Sequence, residues 1–434
     1  MRTDHAPGPL ARDHRPIRPA AATCNHGLPR LHRFRRKTWG VLVFLATLFW
    51  AGSGWTQLQW QFHGRVAEGG QLDVQATDDG TIHLVSSRYY QFDRQGRLLI
   101  EEPVGDTRQG GMDFPPAIAV DPTGTAHLLT RHDGSWSSGF ELRYRRRNQA
   151  GAWDRDITVG QPLPRNYVLG IAAAGPDDVI MQTSRQVTNV WGNHDIWQIR
   201  GSRAVRQGEL TGIWRADTDA RMRTGGDRIF LVSGRCDGDG TVYFTHCRTG
   251  SDCRSQMEAN LRAHRAGSGR RGMPDIAVDG LGQGHLTYGA FQEVYYNRYD
   301  ERQRPVFAED RRIFSGLGTW HLSIGLSAVA ASADGNHVMA VALRSDGSKE
   351  AGNAEILWSW SADGGESWSA PRSLGIRTDA GEGRRRPRLV AVGSTFYLFY
   401  ADREIPGISM ASIDMEQYQE SSPITGALHL LLDG

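Results

Sequence analysis

Six arginines recur at nearly one phase along this 434-residue chain: Arg88, Arg131, Arg185, Arg235, Arg344 and Arg403. Each follows, by four to seven residues, a phrase made of an apolar run, an Asp/Gly turn and His-Leu or its equivalent. A guanidinium fork matches a carboxylate or sulfate with two parallel hydrogen bonds, so such a series is a means of holding an anion. Arg271 and Arg386, in segments that enter the next repeat, fall at the same end of the expected strands. Only Lys37 and Lys349 among the 50 basic residues are lysines. Part of the arginine abundance is therefore compositional, and the phase rather than the number is the signal. A narrow, water-poor mouth would strengthen the attraction of such a lining for anions.

The elements that must position these residues repeat. The phrase runs from Leu72 to His83, from Ala117 to His127 and from Asp275 to His285, with weaker copies opening at Ile171, Arg223, Ala328 and Leu389. Its closing residues, from His83 to Tyr397, are separated by 44, 53, 50, 55, 52 and 60 residues. A sustained period of this size with four short strands per unit is the signature of a β-propeller. The second unit is expected to place strands at Ala117–Asp121, Ala126–Thr130, Glu141–Arg145 and Asp156–Val159. The expectation is an all-β ring of seven four-stranded antiparallel blades, with six as the alternative because the fourth unit is poorly marked. Closure would pair a strand near Leu58–Phe62, or Ala427–Leu432, with the first or last blade. No blade can bury its faces alone, so residues 56–434 should form one domain. The 52 glycines, about 12% of the chain against a usual figure of about 7%, suit a turn-rich protein and exclude long helices and coiled coils.

In the sixth unit, Ser361, Asp363, Gly365 and Trp368 spell S-x-D-x-G-x-x-W. Ser361 and Asp363 can bond the turn backbone, Gly365 can take positive φ, and Trp368 can cover the hairpin. A degenerate copy, Gln149-Ala-Gly-Ala-Trp153, sits at the matching place in the second unit. The motif resembles the Asp-box, or BNR repeat, of sialidase-like propellers, and the repeat pattern extends that resemblance over about residues 65–430. The resemblance implies that the motif itself is structural and lies on the rim opposite the ligand mouth.

It also implies three classes of function. Sialidases bind a carboxylate with arginines and use a Tyr/Glu nucleophile pair with an Asp acid/base, for which Tyr288 or Tyr400 with Glu293 or Asp402 are the candidates here. The Phe/Tyr-Arg-Ile-Pro signature of sialidases is absent, and seven blades would depart from their six. Asp-box polysaccharide lyases use His and Tyr to move the proton while Arg neutralises a uronate carboxylate. Here His132, His194 and Tyr288 could serve, since an imidazole titrates near working pH. The third class is a non-catalytic glycan- or protein-binding propeller of the cell envelope. An acidic oligo- or polysaccharide is the expected partner of the two enzyme classes. The repeated His83, His127, His285 and His337 share one structural phase and are expected to pack blades.

The first 37 residues hold nine basic and two acidic residues, a net of +7, so the rest carries −5 of the chain's +2. That removes the basic face that nucleic-acid binding needs. A basic run ending at Lys37, an apolar heart at Val41–Trp50 and small residues at 51–54 follow the order of a signal peptide. Residues 1–55 are therefore read as a leader, with a membrane anchor through residues 38–57 as the alternative. Both place the body in the periplasm, outside the cell, or on the outer side of the membrane. Cys24 lies in the leader, leaving Cys236, Cys247 and Cys253. Cys236 at a hairpin turn would be far from Cys247, which favours a short Cys247–Cys253 loop. No metal or cofactor is expected: Asp237-Gly-Asp-Gly reads as a turn, and zinc would want a fourth ligand.

Overall fold

The computed structural model describes residues 58–416 apart from 105–115, 136–138, 149, 163–165, 186–192, 212, 214–219, 235–240, 265–273, 291, 319–325, 346–352 and 379–384. The leader, Cys24, Cys236, Asp237, Asp239 and the segment Ala427–Leu432 lie outside these residues. Twenty-eight strands form seven four-stranded antiparallel sheets. Blade one is β2 (Asp73–Ala76) to β5 (Leu98–Pro103), and blade two is β6 (Ala117–Val120) to β9 (Trp153–Thr158). Blade three runs from β10 (Asn166–Gly175) to β13 (Arg203–Glu209), and blade four from β14 (Ala220–Gly225) to β17 (Arg262–His264). Blade five is β18 (Asp275–Val278) to β21 (Arg311–Phe314), and blade six is β22 (Ser327–Ala331) to β25 (Arg372–Thr378). Blade seven joins β26 (Arg388–Val392), β27 (Thr395–Ala401) and β28 (Ile408–Asp414) to β1 (Gln61–Ala67).

The first strand of each blade neighbours the first strand of the next, and β26 returns to β2, so the ring closes. Closure is by the N-terminal strand: β1 pairs with β28 in the register Gln61↔Ser412 to Ala67↔Ile408. The inner strands read as short apolar runs because both blade faces are covered by neighbours. Strand Val338–Ser345 of blade six is nearly all buried, whereas outer β5 alternates exposed and half-buried residues. Seven apolar clusters result, one in each wedge between adjacent blades. Each wedge needs two blades, which is why the ring is the unit that folds.

Blade four departs most from the pattern. Its outer strand has three residues, and the short helix α1 (Cys253–Ala259), capped by Asp252, precedes it. Cys247 at the end of the third strand is bonded to Cys253 at the start of that helix. The helix tucks Met257 into the wedge with blade three and so does the work of a longer edge strand. No described helix is long and apolar enough to cross a membrane.

Candidate functional site at the mouth of the central shaft

In every blade the connectors that enter the first strand and those that leave the second meet on one rim. The inner strands therefore begin at that rim, around the axis. Asp73 opens β2, Asp275 opens β18, Arg221 is second in β14, and Arg388 opens β26 two residues after Arg386. All five are buried.

Several of their contacts join blades that are not neighbours, and so cross the shaft. Arg221 of blade four donates from Nη1 to Asp73 Oδ1 of blade one at 2.7 Å. Its Nε lies 3.7 Å from Asp275 Oδ1 of blade five. Arg223, one pleat along β14, reaches the same Asp73 oxygen at 3.3 Å and the Val74 carbonyl at 3.2 Å. Arg386 of blade seven donates to the Pro274 carbonyl at the entry to blade five, at 3.1 Å.

Each aspartate also staples its blade to the next one. Asp73 Oδ2 accepts the Ile118 N–H of blade two at 3.1 Å, and Asp275 Oδ2 accepts the Val329 N–H of blade six at 3.2 Å. Their electrostatics nonetheless diverge. Burial pushes Asp73 up, but Arg221, Arg223 and two backbone N–H groups outweigh it and hold this carboxyl below its ordinary value. For Asp275 burial wins over Arg221, Arg223 and Arg386, and the carboxyl is raised. Arg221 Nη2 and Asp275 Oδ1 are buried without a hydrogen-bond partner among the described residues. Among the described residues the shaft thus gathers Arg221, Arg223 and Arg386 about two carboxylates, while buried Arg388 opens inner strand β26.

The residues singled out from the sequence are distributed differently. Of the phased arginines and their companions, Arg386 stands in the shaft. Arg88 opens the third strand of blade one and pairs with Glu101 on β5 at 2.8 Å. Arg344 pairs with Glu355, its direct partner on the next strand. The Arg131 guanidinium lies 3.2 Å from the centre of the Phe140 ring and 5.8 Å from that of Tyr167, near the start of inner strand β10. Burial pushes Arg131 down to about 10. Arg403 is exposed in the β27–β28 connector. Arg185 ends the second strand of blade three, its side chain lying outside the description, and Arg235 and Arg271 lie outside the described residues altogether.

The acid/base candidates are not gathered at one point. Tyr288 is buried in the wedge between blades four and five, and its hydroxyl donates to Asp310 rather than meeting Glu293. Asp310 also meets His264 Nδ1 at 3.0 Å and accepts from Asn297 at 2.5 Å, while His264 Nε2 meets the Tyr299 hydroxyl. Burial and Asp310 both hold Tyr288 protonated, far above the ordinary phenol value. Glu293 accepts from Tyr295 at 2.5 Å and from Arg312 at 2.8 Å, and the Tyr295 bond leads in holding it low. Tyr400 is buried between blades six and seven and pushed up to about 12 by burial. It and Asp402 share Ser409 as a neighbour, the Ser409 hydroxyl donating to Asp402 at 3.3 Å. His132 is buried, with Nε2 3.2 Å from Thr130 Oγ1, and burial lowers it. His194 is buried against Gln182.

Sequence reasoning missed Asp73, Arg221, Arg223, Asp275 and Arg388. A signal was present, because two of the seven phrases open their inner strand with Asp where the second opens with Ala117. The S-x-D-x-G-x-x-W segment forms the turn between the third and fourth strands of blade six, on the opposite rim. Gly365 N–H donates to Ser361 Oγ at 2.7 Å, Ser367 N–H to Asp363 at 2.8 Å, and Trp368 Nε1 to the Gly365 carbonyl at 3.2 Å. Gly365 has φ +92°, and a Cβ there would lie 2.3 Å from Tyr296.

No family model matches the chain, and no curated protein does. Among solved structures, it is similar to polysaccharide lyase Uly1 at 10% identity and a TM-score of 0.45, over 80% of this chain and 90% of that one. It is similar to the WD40 domain of SCAP from fission yeast at 11% identity and a TM-score of 0.38, covering 82% and 94%. A third likeness is to Saccharomyces cerevisiae Sqt1, at 8% identity and a TM-score of 0.44, covering 82% and 87%. These likenesses concern the fold alone.

Proposed function

We propose that this protein is an exported propeller that takes an acidic glycan at the mouth end of its shaft. The observation that carries the reading is the cluster of buried guanidiniums among the described residues there: Arg221, Arg223 and Arg386 about Asp73 and Asp275, with Arg388 opening inner strand β26. Buried charge is stable only when matched, so a sugar carboxylate or sulfate is the chemical complement of this cluster. In this reading Arg386 and Arg388 are the anchoring residues, and Arg131 is a further cation on the same rim, in blade two. Arg88 and Arg344 already hold carboxylates and fit the role less well. Export is supported by the basic-apolar-small order of the leader and by the Cys247–Cys253 bond, since disulfides persist in oxidising compartments.

The chemistry we favour is glycoside hydrolysis of the sialidase-like kind, and the opposed environments of the two shaft carboxyls favour it. Two carboxyls whose environments shift them in opposite directions are the arrangement that acid/base catalysis uses. In this reading Asp275 is the proton donor.

Titration calorimetry with polyglucuronate, polysialic acid and neutral dextran tests the reading. Binding of an acidic polymer, weakened at least tenfold by Arg386→Gln with Arg388→Gln and with little change in melting temperature, is expected. Equal binding by the variant, or binding of dextran alone, overturns it. A reducing-end assay on the bound polymer then tests hydrolysis, with Asp275→Asn expected to abolish release while binding persists.

A further inference from the structure

Two wedges of the ring are built to one plan and finished differently. In blade five, His285 Nδ1 meets the Tyr296 hydroxyl at 2.9 Å and its Nε2 meets Asp279 at 3.1 Å. Blade two repeats this with His127, Tyr144 and Asp121, at 2.8 and 3.2 Å. Blade one keeps the first half, with His83 Nδ1 2.7 Å from the Tyr89 hydroxyl. At the position of the aspartate stands Thr77, whose hydroxyl is spent on Asp79 and the Thr81 carbonyl. His83, a residue 3% exposed, makes no hydrogen bond through Nε2 among the described residues.

The residue facing the histidine across the second and third strands changes too. It is Arg298 in blade five and Gln91 in blade one. Arg298 fills its wedge so tightly that a Cβ on Gly364 of the neighbouring turn would come 2.1 Å from it. The turn of the next blade closes both wedges with a tryptophan edge-on to the tyrosine: Trp368 on Tyr296 at 5.0 Å, and Trp153 on Tyr89 at 5.3 Å. From blade two that turn is the shorter Asn148–Trp153 segment. What remains between blades one and two is a cavity of about 450 Å³, lined by His83, Gln91, Ile100, Arg147, Asn148 and Ala150 among others. The Gln91 Oε1 atom is buried there without a partner.

We propose that this cavity, on the rim opposite the shaft mouth, is a binding site for a neutral polyhydroxylated ligand the size of one or two sugar units. Its volume lies within the range of small-molecule sites. Among the described residues no carboxylate lines it, which disfavours a cation. Glu102 holds Arg147 through two nitrogens, each at 3.0 Å, which matches the one cation present and disfavours an anion. A hydroxyl both donates and accepts, so it serves His83 Nε2 in either tautomer and can donate to Gln91 Oε1. Ile100 offers an apolar surface to the C–H face of a pyranose.

The test is an NMR titration of the full chain, following the His83 ring resonance assigned by its loss in His83→Gln. The probes are methyl α-D-glucopyranoside, methyl β-D-galactopyranoside, acetate and phosphate. A saturable shift with at least one glycoside is expected, weakened tenfold or more in Ala150→Trp and in Gln91→Leu and unchanged in Arg386→Gln. Ala150 is exposed, so its variant blocks the opening without disturbing the core. Absence of any saturable shift, an unaltered shift in both pocket variants, or a shift produced by the anions alone overturns the proposal. Loss of the shift in Arg386→Gln overturns it as well, by tying the signal to the shaft.

Discussion

At the blade edges several arginines are matched by a carboxylate on the neighbouring strand. Arg88 meets Glu101 at 2.8 Å, and Arg146 takes both oxygens of Asp154 at 2.9 and 2.8 Å. Among the described residues of the shaft, guanidiniums crowd the same carboxylates instead: Arg221 and Arg223 share one oxygen of Asp73, and Asp275 feels Arg221, Arg223 and Arg386 together. The edge pairs stand partly in water, where an ion pair is worth about 0.2–1 kcal/mol. The shaft pair stands at 5% and 2% side-chain exposure, where removing one partner strands a charge. The difference teaches that arginine count says little here. What separates a candidate site from surface decoration is whether the cations outnumber their anions and whether water can reach them.

The sharpest way to break this contrast is Asp73→Ala. It removes the partner of Arg221 and Arg223 and the staple to Ile118, and a loss of about 3–5 kcal/mol is expected in urea unfolding. A loss under 1 kcal/mol would mean the shaft behaves like the edge. Adding Arg221→Met should recover much of the loss, because the stranded charge leaves with its partner.

The two shaft aspartates should also part company with pH. Asp73 is lowered in the folded state, so its contribution is present above the unfolded carboxyl value of about 3.9 and is lost as pH falls through the folded one. Asp275 is raised, so ionising it works against folding as pH climbs past about 3.9. Asp73→Asn is therefore expected to destabilise at pH 7 and to flatten the acid limb of a stability–pH curve. Asp275→Asn should be neutral or stabilising at pH 7. Equal losses from both substitutions would erase the distinction between proton donor and staple.

Ring and blade number were legible because each rests on local pattern, the repeat period and the Asp/Gly turns. The closing strand, Gln61–Ala67, overlaps the expected Leu58–Phe62 only at its first two residues, because it is mostly polar and gives no apolar run. Packing roles for His83, His127 and His285 were legible for the same reason, being set within one hairpin. The shaft was not. Asp73 and Arg221 are 148 positions apart and meet only because four blades turn the chain across the axis, and no local period encodes that. Arg344 stands near the end of its second strand whereas Arg88 opens the third, and their partners Glu101 and Glu355 lie on the next strand over. Finding those required the register as well as the period.

A milder test of the contrast uses Arg131, which stacks on Phe140 near the inner strand of blade three. Its guanidinium is half in and half out of water, and burial has already weakened its hold on its proton. Arg131→Ala should reduce acidic-glycan affinity by a few-fold in titration calorimetry. That is less than the shaft variants and more than any edge arginine. An effect equal to that of Arg386→Gln would move the anchoring position outward to the rim.

The smallest effect is expected at Arg344. It pairs with Glu355 directly across a strand, its side chain is 45% exposed, and Glu355 is held in turn by Ser373. Coulomb attraction there is screened, and ordering two long side chains offsets part of it. A double-mutant cycle of Arg344→Ala and Glu355→Ala, read by urea unfolding, should return a coupling of about 0.2–1 kcal/mol that shrinks with added salt. Acidic-glycan affinity should not change, because this cation is already matched. If affinity drops with Arg344→Ala while the coupling stays small, Glu355 is a partner that the glycan displaces. The outer rim would then belong to the site, and the division between edge and shaft would have to be redrawn at blade six.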